Sequence, residues 1–190
     1  MPNIFFISDT HFGHANVLTF KRTDGTLLRP GFANAEEMDE HMVQQWNSVV
    51  SPQDKVYHLG DVAINKKHIS TVARLNGKKR LVRGNHDIGD LALYTAHFEE
   101  VLGVRVFSEF GFVCSHIPLH PDSVSRWKLN VHGHLHSNLV MEPKRMNIDG
   151  TITQDIDKRY MNVSVEQIDY TPIPIEFIHQ RVKEVKDAEL

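Results

Sequence analysis

Short apolar runs that stop abruptly at polar turns constrain this chain more than any other feature. Residues 3–8 run into Asp9-Thr10-His11, residues 55–59 into Gly60-Asp61, and residues 79–82 into Gly84-Asn85-His86-Asp87. Such runs fit strands buried on both faces. Helical patterns lie between them, so strand and helix alternate through the first half. That alternation predicts an α/β fold with polar residues gathered at strand ends, where ligands sit in open α/β sheets. Two further clusters, Ser115-His116 and Gly133-His134 with His136, follow later strands.

The clearest helix starts at Asn34, with Glu37 three residues on as a capping box. Met38, Met42, Trp46 and Val49 share its face, and Ser51-Pro52 ends it. A second helix is expected over residues 66–75, capped by Asn65 and stopped by Asn76-Gly77, and a short one over 90–97. From Val101 onward strands are expected at residues 105–107, 112–115, 129–132, 161–165 and 173–178, with 180–190 a polar tail or helix. Asp24-Gly25, within the β-compatible stretch 17–29, and Asp149-Gly150 signal hairpins. The first of these is a candidate wall over a substrate.

The five clusters supply carboxylate, amide and imidazole groups and no thiolate. That donor set suits a hard or borderline divalent ion, not an iron–sulfur cluster or a structural zinc. Asp9 and His11 are two residues apart, so on an extended strand end they emerge on one side, as do His134 and His136. Gly60, Gly84 and Gly133 permit close turns before Asp61, Asn85 and His134. An aspartate on a tight turn can bridge two ions, and Asn85 adds a neutral oxygen.

Length supports one domain over residues 1–190. A formal charge of -3 gives no basic footprint for an extended nucleic-acid surface. It does not exclude an anionic substrate, because two divalent cations outweigh the charges of Asp9 and Asp61. Cys114 is the only cysteine, so an internal disulfide is impossible. The N-terminal run lacks a basic segment and a small-residue cleavage site, and no stretch has membrane-spanning length; the cytoplasm is the expected address.

The order D-x-H, G-D, G-N-H-D, H, G-H-x-H over residues 3–165 resembles the calcineurin-like metallophosphoesterases, in particular small single-domain phage and bacterial members. The resemblance implies a four-layered αββα sandwich with the site at the strand ends. It implies two divalent metal ions, manganese first, with nickel, iron, cobalt or zinc as substitutes. Asp9, His11 and His136 would hold one ion, Asn85, His116 and His134 the other, and Asp61 would bridge. His86 would sit by the phosphate without binding metal. A hydroxide bridging ions about 3.5–4 Å apart would attack phosphorus in line, with His86 assisting the leaving group. Asp87 would orient His86 by accepting its other ring proton. Arg29, Arg83 and Arg126 are candidate substrate contacts. His14, His58 and His132 lie beside the motifs and are candidates for supporting roles.

The implied substrate is a small phosphate ester or nucleotide. A phosphodiesterase is favoured by likeness to small family members, with a phosphomonoesterase or nucleotidase as the alternative. A non-catalytic protein-binding scaffold is disfavoured by the intact ligand set and by His86. A nuclease processing nucleic-acid ends is a third reading; the acidic balance and the lack of a Lys/Arg-rich aromatic face disfavour a long nucleic-acid track and leave nucleotides or short ends open.

Overall fold

The computed structural model describes residues 2–188. β1 (Ile4–Ile7) leads through a 3-10 helix at Ala15–Thr19 and a hairpin at 20–28 to α1 (Ala35–Val49). Next come β2 (Lys55–His58), a 3-10 helix over Lys66–Arg74, β3 (Lys78–Val82), α2 (Leu91–Thr95) and β4 (Glu100–Leu102). The second half contains β5 (Arg105–Phe107), β6 (Phe112–Cys114), α3 (Pro121–Val124) and β7 (Leu129–His132). A small hairpin of β8 (Arg145–Met146) and β9 (Ile152–Thr153) precedes β10 (Tyr160–Asn162), β11 (Ile173–Pro174) and α4 (Ile175–Ala188).

Two larger sheets result, with strand orders β11-β1-β2-β3-β4 and β10-β7-β6-β5, beside the two-stranded β8-β9. β1 to β4 are mutually parallel, as are β6, β7 and β10, while β11 and β5 run antiparallel at the edges. Side chains alternate across each strand. Phe5, Ile7, Val56 and Leu81 therefore face Met38, Met42 and Trp46 of α1 together with Ile69 and Val72. On the other side of the same strands, Phe6, Tyr57, Leu59 and Val82 meet Phe112, Cys114, Leu129 and Val131 of the second sheet. Rings interlock there, with Phe6 stacked on Tyr57 at 5.6 Å and Phe107 on Phe112 at 4.5 Å. Each such large apolar side chain contributes about 1.5–3 kcal/mol over exposure.

The far face of the second sheet is polar. Asn130 Oδ1 accepts from Leu119 N–H at 2.8 Å, and Tyr160 donates to Leu119 O at 2.7 Å. The loop carrying α3 thus covers that face as a thin outer layer. The α/β sandwich expected from the motif order is the architecture observed.

Several local expectations are corrected. Residues 17–19 are helical, so the first hairpin starts at Phe20. Lys66–Arg74 is a 3-10 helix, although Asn65 caps it as expected. Val49 is 39% exposed, and Val50, turning back at the helix end, takes the core position. The strand at 161–165 stops at Asn162, before a 3-10 turn at Val165–Gln167. The run 173–178 is strand only at Ile173–Pro174. Ile175, Ile178, Val182 and Val185 recur at three- and four-residue steps and form the buried face of α4. β4 and α3 were not foreseen. Residues 180–188 are helical, and 189 and 190 lie outside the described residues. No helix among the described residues is long and apolar enough to cross a membrane.

Candidate metal centre

The polar turns do not continue the strands as extended chain. Asp9, His11, Asp61, His134 and His136 have φ of 59°, 49°, 57°, 69° and 51°. Among the described residues only Asp169 and Tyr170 join them as non-glycine residues with positive φ. That conformation costs about 1–3 kcal/mol per residue and persists where surrounding structure enforces it. The same-side placement of Asp9 with His11, and of His134 with His136, therefore comes from paired left-handed turns, not from strand alternation.

Glycine permits the turns to close on the carboxylates. A Cβ at Gly84 would sit 2.1 Å from Asp61 Oδ1, and one at Gly133 would sit 2.3 Å from Asp9 Oδ2. Through these gaps the His134 N–H donates to Asp9 Oδ2 at 2.9 Å, and the His86 N–H donates to Asp61 Oδ1 at 2.8 Å. Ser164 also donates to Asp9 Oδ2, at 2.9 Å. Each carboxylate is thus anchored by one oxygen, leaving the other for the site.

Two groups of three ligand atoms converge, Asp9 with His11 and His136, and Asp61 with His116 and His134. Asp9 Oδ1 lies 3.8 Å from His11 Nε2 and 4.0 Å from His136 Nε2. It is buried and has no hydrogen-bond partner among the described residues. Burial pushes the Asp9 carboxyl up, as expected of an acid that needs a cation to stay charged in this environment. Asp61 Oδ2 stands between the groups, 3.7 Å from His11 Nε2 and 3.4 Å from His116 Nε2. Burial opposes its charge, but the hydrogen bond and charge of His116 hold the Asp61 carboxyl down at about 2.

Hydrogen bonds fix which ring nitrogens face inward. His116 Nδ1–H donates to Leu59 O at 2.7 Å, so Nε2 meets Asn85 Oδ1 at 2.9 Å. His136 Nδ1 is held by Glu166 Oε1 at 3.0 Å, leaving its Nε2 toward Asp9. Imidazole nitrogens, carboxylate oxygens and an amide oxygen thus point at common space without enough protons between them. That is donor chemistry for cations. The residues fit the two-metal expectation, and Asn85 joins the second group through His116.

Other expectations change. Arg29 is 1% exposed and does not face substrate space. Its guanidinium donates to Glu166 Oε1 at 2.7 Å, Thr10 O at 3.0 Å and Asp9 O at 2.5 Å, tying the first ligand turn to the segment after β10. Arg83 donates to the carbonyls of Asp87 and Gly89 and lies over the Tyr94 ring, so it braces its own loop. Arg126 is exposed after α3, and among the described residues no hydrogen bond or ion pair joins it to either group. His58 is buried, and burial lowers it to about 3. Its Nδ1 accepts the Gly60 N–H at 3.2 Å and its Nε2 bonds Thr10 Oγ1 at 3.0 Å, linking two ligand turns. His132, also buried, bonds Gly133 O at 2.7 Å. His14 stands by the His11 ring at 5.7 Å.

Glu166 was not anticipated. Burial works against its charge, yet the hydrogen bond from His136 and the charge of Arg29 hold it at about 2. No motif marks it, since Arg29 lies 137 residues away in sequence.

Asp87 does not orient the His86 ring. Its Oδ2 accepts from the N–H groups of Asp61 and Gly84, each at 2.8 Å, and its Oδ1 from Val62 at 3.1 Å. It clamps the Asp61 turn to the Asn85 turn. Asp87→Ala would leave these donors buried and unpaired, and a loss of about 2–4 kcal/mol in unfolding free energy is expected. Denaturant unfolding measures this; unchanged stability with only a reduced rate would restore the orienting role.

A parallel-stranded two-sheet sandwich with paired His/Asp groups at its strand ends defines a class of metal-binding hydrolase fold. The chain matches the calcineurin-like phosphoesterase family over residues 2–181 and belongs to it. It is 34% identical over 200 residues to an uncharacterized protein of Methanocaldococcus jannaschii, covering 98% of this chain and 94% of that one. It is 27% identical over 175 residues to the gene 66 protein of Mycobacterium phage L5, covering 74% and 81%. A crystal structure of a protein of unknown function from Aquifex aeolicus superposes with a TM-score of 0.68 at 26% identity, covering 95% of this chain and 99% of that one. Family and residue groups together support a metal-dependent phosphoesterase.

Proposed function

We propose that this protein is a dinuclear phosphodiesterase acting on a small phosphate ester or nucleotide. Asp9, His11 and His136 hold one ion, Asn85, His116 and His134 the other, and Asp61 is shared. The observation that carries this reading is Asp61 Oδ2 lying within 3.7 Å of His11 Nε2 and 3.4 Å of His116 Nε2, one from each group. Bound there, divalent ions supply Lewis-acid polarisation of phosphoryl oxygens and acidify coordinated water. Manganese is the proposed ion on the family resemblance; mixed oxygen and imidazole donors without thiolate suit nickel, iron, cobalt or zinc as well.

The chain's own groups do the rest. The side chain of His86 is 52% exposed, and its Nε2 is 4.0 Å from Asp61 Oδ2. It borders the ion sites without being turned into either group. From there it holds a proton for the departing oxygen or stabilises charge on the transferring phosphoryl group. Its own backbone N–H fixes Asp61, so the acid and the shared carboxylate move as one unit. The preference for the diester rests on likeness to small family members; the cavity beside His134 and His136 has room for an ester arm of either substrate.

Product analysis with nitrophenyl mono- and diesters under manganese tests the reading. Faster hydrolysis of the diester, to nitrophenol and the monoester, is expected. A strong monoester preference would replace the phosphodiesterase with a phosphomonoesterase at the same centre.

A further inference from the structure

The hairpin at residues 20–28 is a braced ribbon. Arg22 N–H donates to Thr26 O and Leu28 N–H to Phe20 O, each at 2.8 Å, and the Asp24 carboxylate takes the Thr26 N–H at 2.9 Å. Between it and the turn after β7 lies a cavity of about 460 Å³, bordered by Phe20, Arg22, Leu28, His134, His136 and Asn138. That volume lies within the usual range for small-ligand sites. The cavity shares His134 and His136 with the metal groups, so a molecule held at the centre extends into it.

Two side chains give the cavity its chemistry. Phe20 is 47% exposed, with its ring edge against His14 at 5.6 Å. His14 in turn leans on His11, so the ring is referenced to the ligand shell. Arg22, two residues along the same ribbon arm, borders the cavity together with Phe20 and the intervening Lys21. Its guanidinium is held near the cavity floor by a hydrogen bond to Leu28 O at 3.3 Å. An exposed aromatic face stacks planar rings, and a guanidinium beside it recognises phosphate oxygens. Leu28 and Leu135 give an apolar floor.

Resting on the phosphodiesterase reading, we infer that this cavity is a subsite for one arm of a nucleotide diester, with a nucleobase on Phe20 and a second phosphate at Arg22. The formal charge of -3 gives no basic footprint for an extended nucleic-acid surface, so the ligand inferred is a short molecule.

The test uses dithymidine substrates with and without a terminal phosphate, together with calorimetric titration of thymidine bisphosphate into metal-free protein. Phe20→Ala is expected to weaken bisphosphate binding and raise KM about tenfold, with kcat and metal content unchanged. Phe20→Trp is expected to restore both. Arg22→Gln is expected to raise KM for the phosphorylated dinucleotide only. Binding and KM indifferent to Phe20→Ala would overturn the subsite, as would a loss of kcat and metal content that tryptophan does not repair. A wild-type protein that binds the bisphosphate through Phe20 but cleaves no phosphoester would instead sink the phosphodiesterase reading and leave the subsite standing.

Discussion

Replacing His86 with alanine is expected to leave metal content at the wild-type level and to lower turnover by about 10²–10⁴-fold, the usual contribution of a positioned acid. The separation of the two effects follows from geometry. The His86 ring is half exposed and is absent from both converging groups, whereas its backbone N–H anchors Asp61 Oδ1. Alanine keeps that N–H and removes only the ring. Metal analysis of the purified variant alongside kcat on a dinucleotide, whose alkoxide leaving group needs a proton, measures both. A fall in stoichiometry parallel to the loss of rate would move His86 into the ligand shell. Activity should recover most on substrates whose leaving group needs no proton, because the acid matters least there.

Asp61→Asn has the larger expected consequence. Asparagine preserves shape and the acceptor for His86 N–H, but it removes the charge and the second anionic oxygen facing His11 and His116. Both groups then lose their shared carboxylate. Activity should fall by more than about 10³-fold, beyond the loss of a single stabilising donor. Metal content should drop by at least one ion per chain. A thermal shift on manganese addition, present in the wild-type protein through preferential binding to the folded state, should shrink in the variant. Full metal loading with intact activity would show that Asp61 is not shared.

The proposed ligand positions were legible in the sequence because each follows a buried strand that ends in a polar turn, three of those turns being led by Gly60, Gly84 and Gly133. Their conformation was not. Nothing local to Asp9 or His134 announces a left-handed backbone, which is imposed by contacts such as His134 N–H to Asp9 Oδ2 across 125 residues. The same distance in sequence hid the supporting groups. Arg29 read as a candidate substrate contact, because its partner Glu166 lies beyond β10. Asp87 read as a companion of its neighbour His86, yet its partners are the amides of another loop, 25 and 26 residues back, and of Gly84.

Fold errors have equally local causes. β4 is three partly exposed residues and pairs only with β3, leaving too little periodicity to recognise. The run from Ile173 read as a strand because β-branched residues dominate it, although the spacing of Ile175, Ile178, Val182 and Val185 already carried the helical period. α3 had Pro121 at its first turn as a usable start signal.

Anomalous diffraction from manganese-loaded crystals bears most directly on the shared carboxylate. Two peaks about 3.5–4 Å apart, with one Asp61 oxygen in contact with both, are expected. A single peak, or two ions with Asp61 touching only one, would contradict the dinuclear centre on which the proposed chemistry stands.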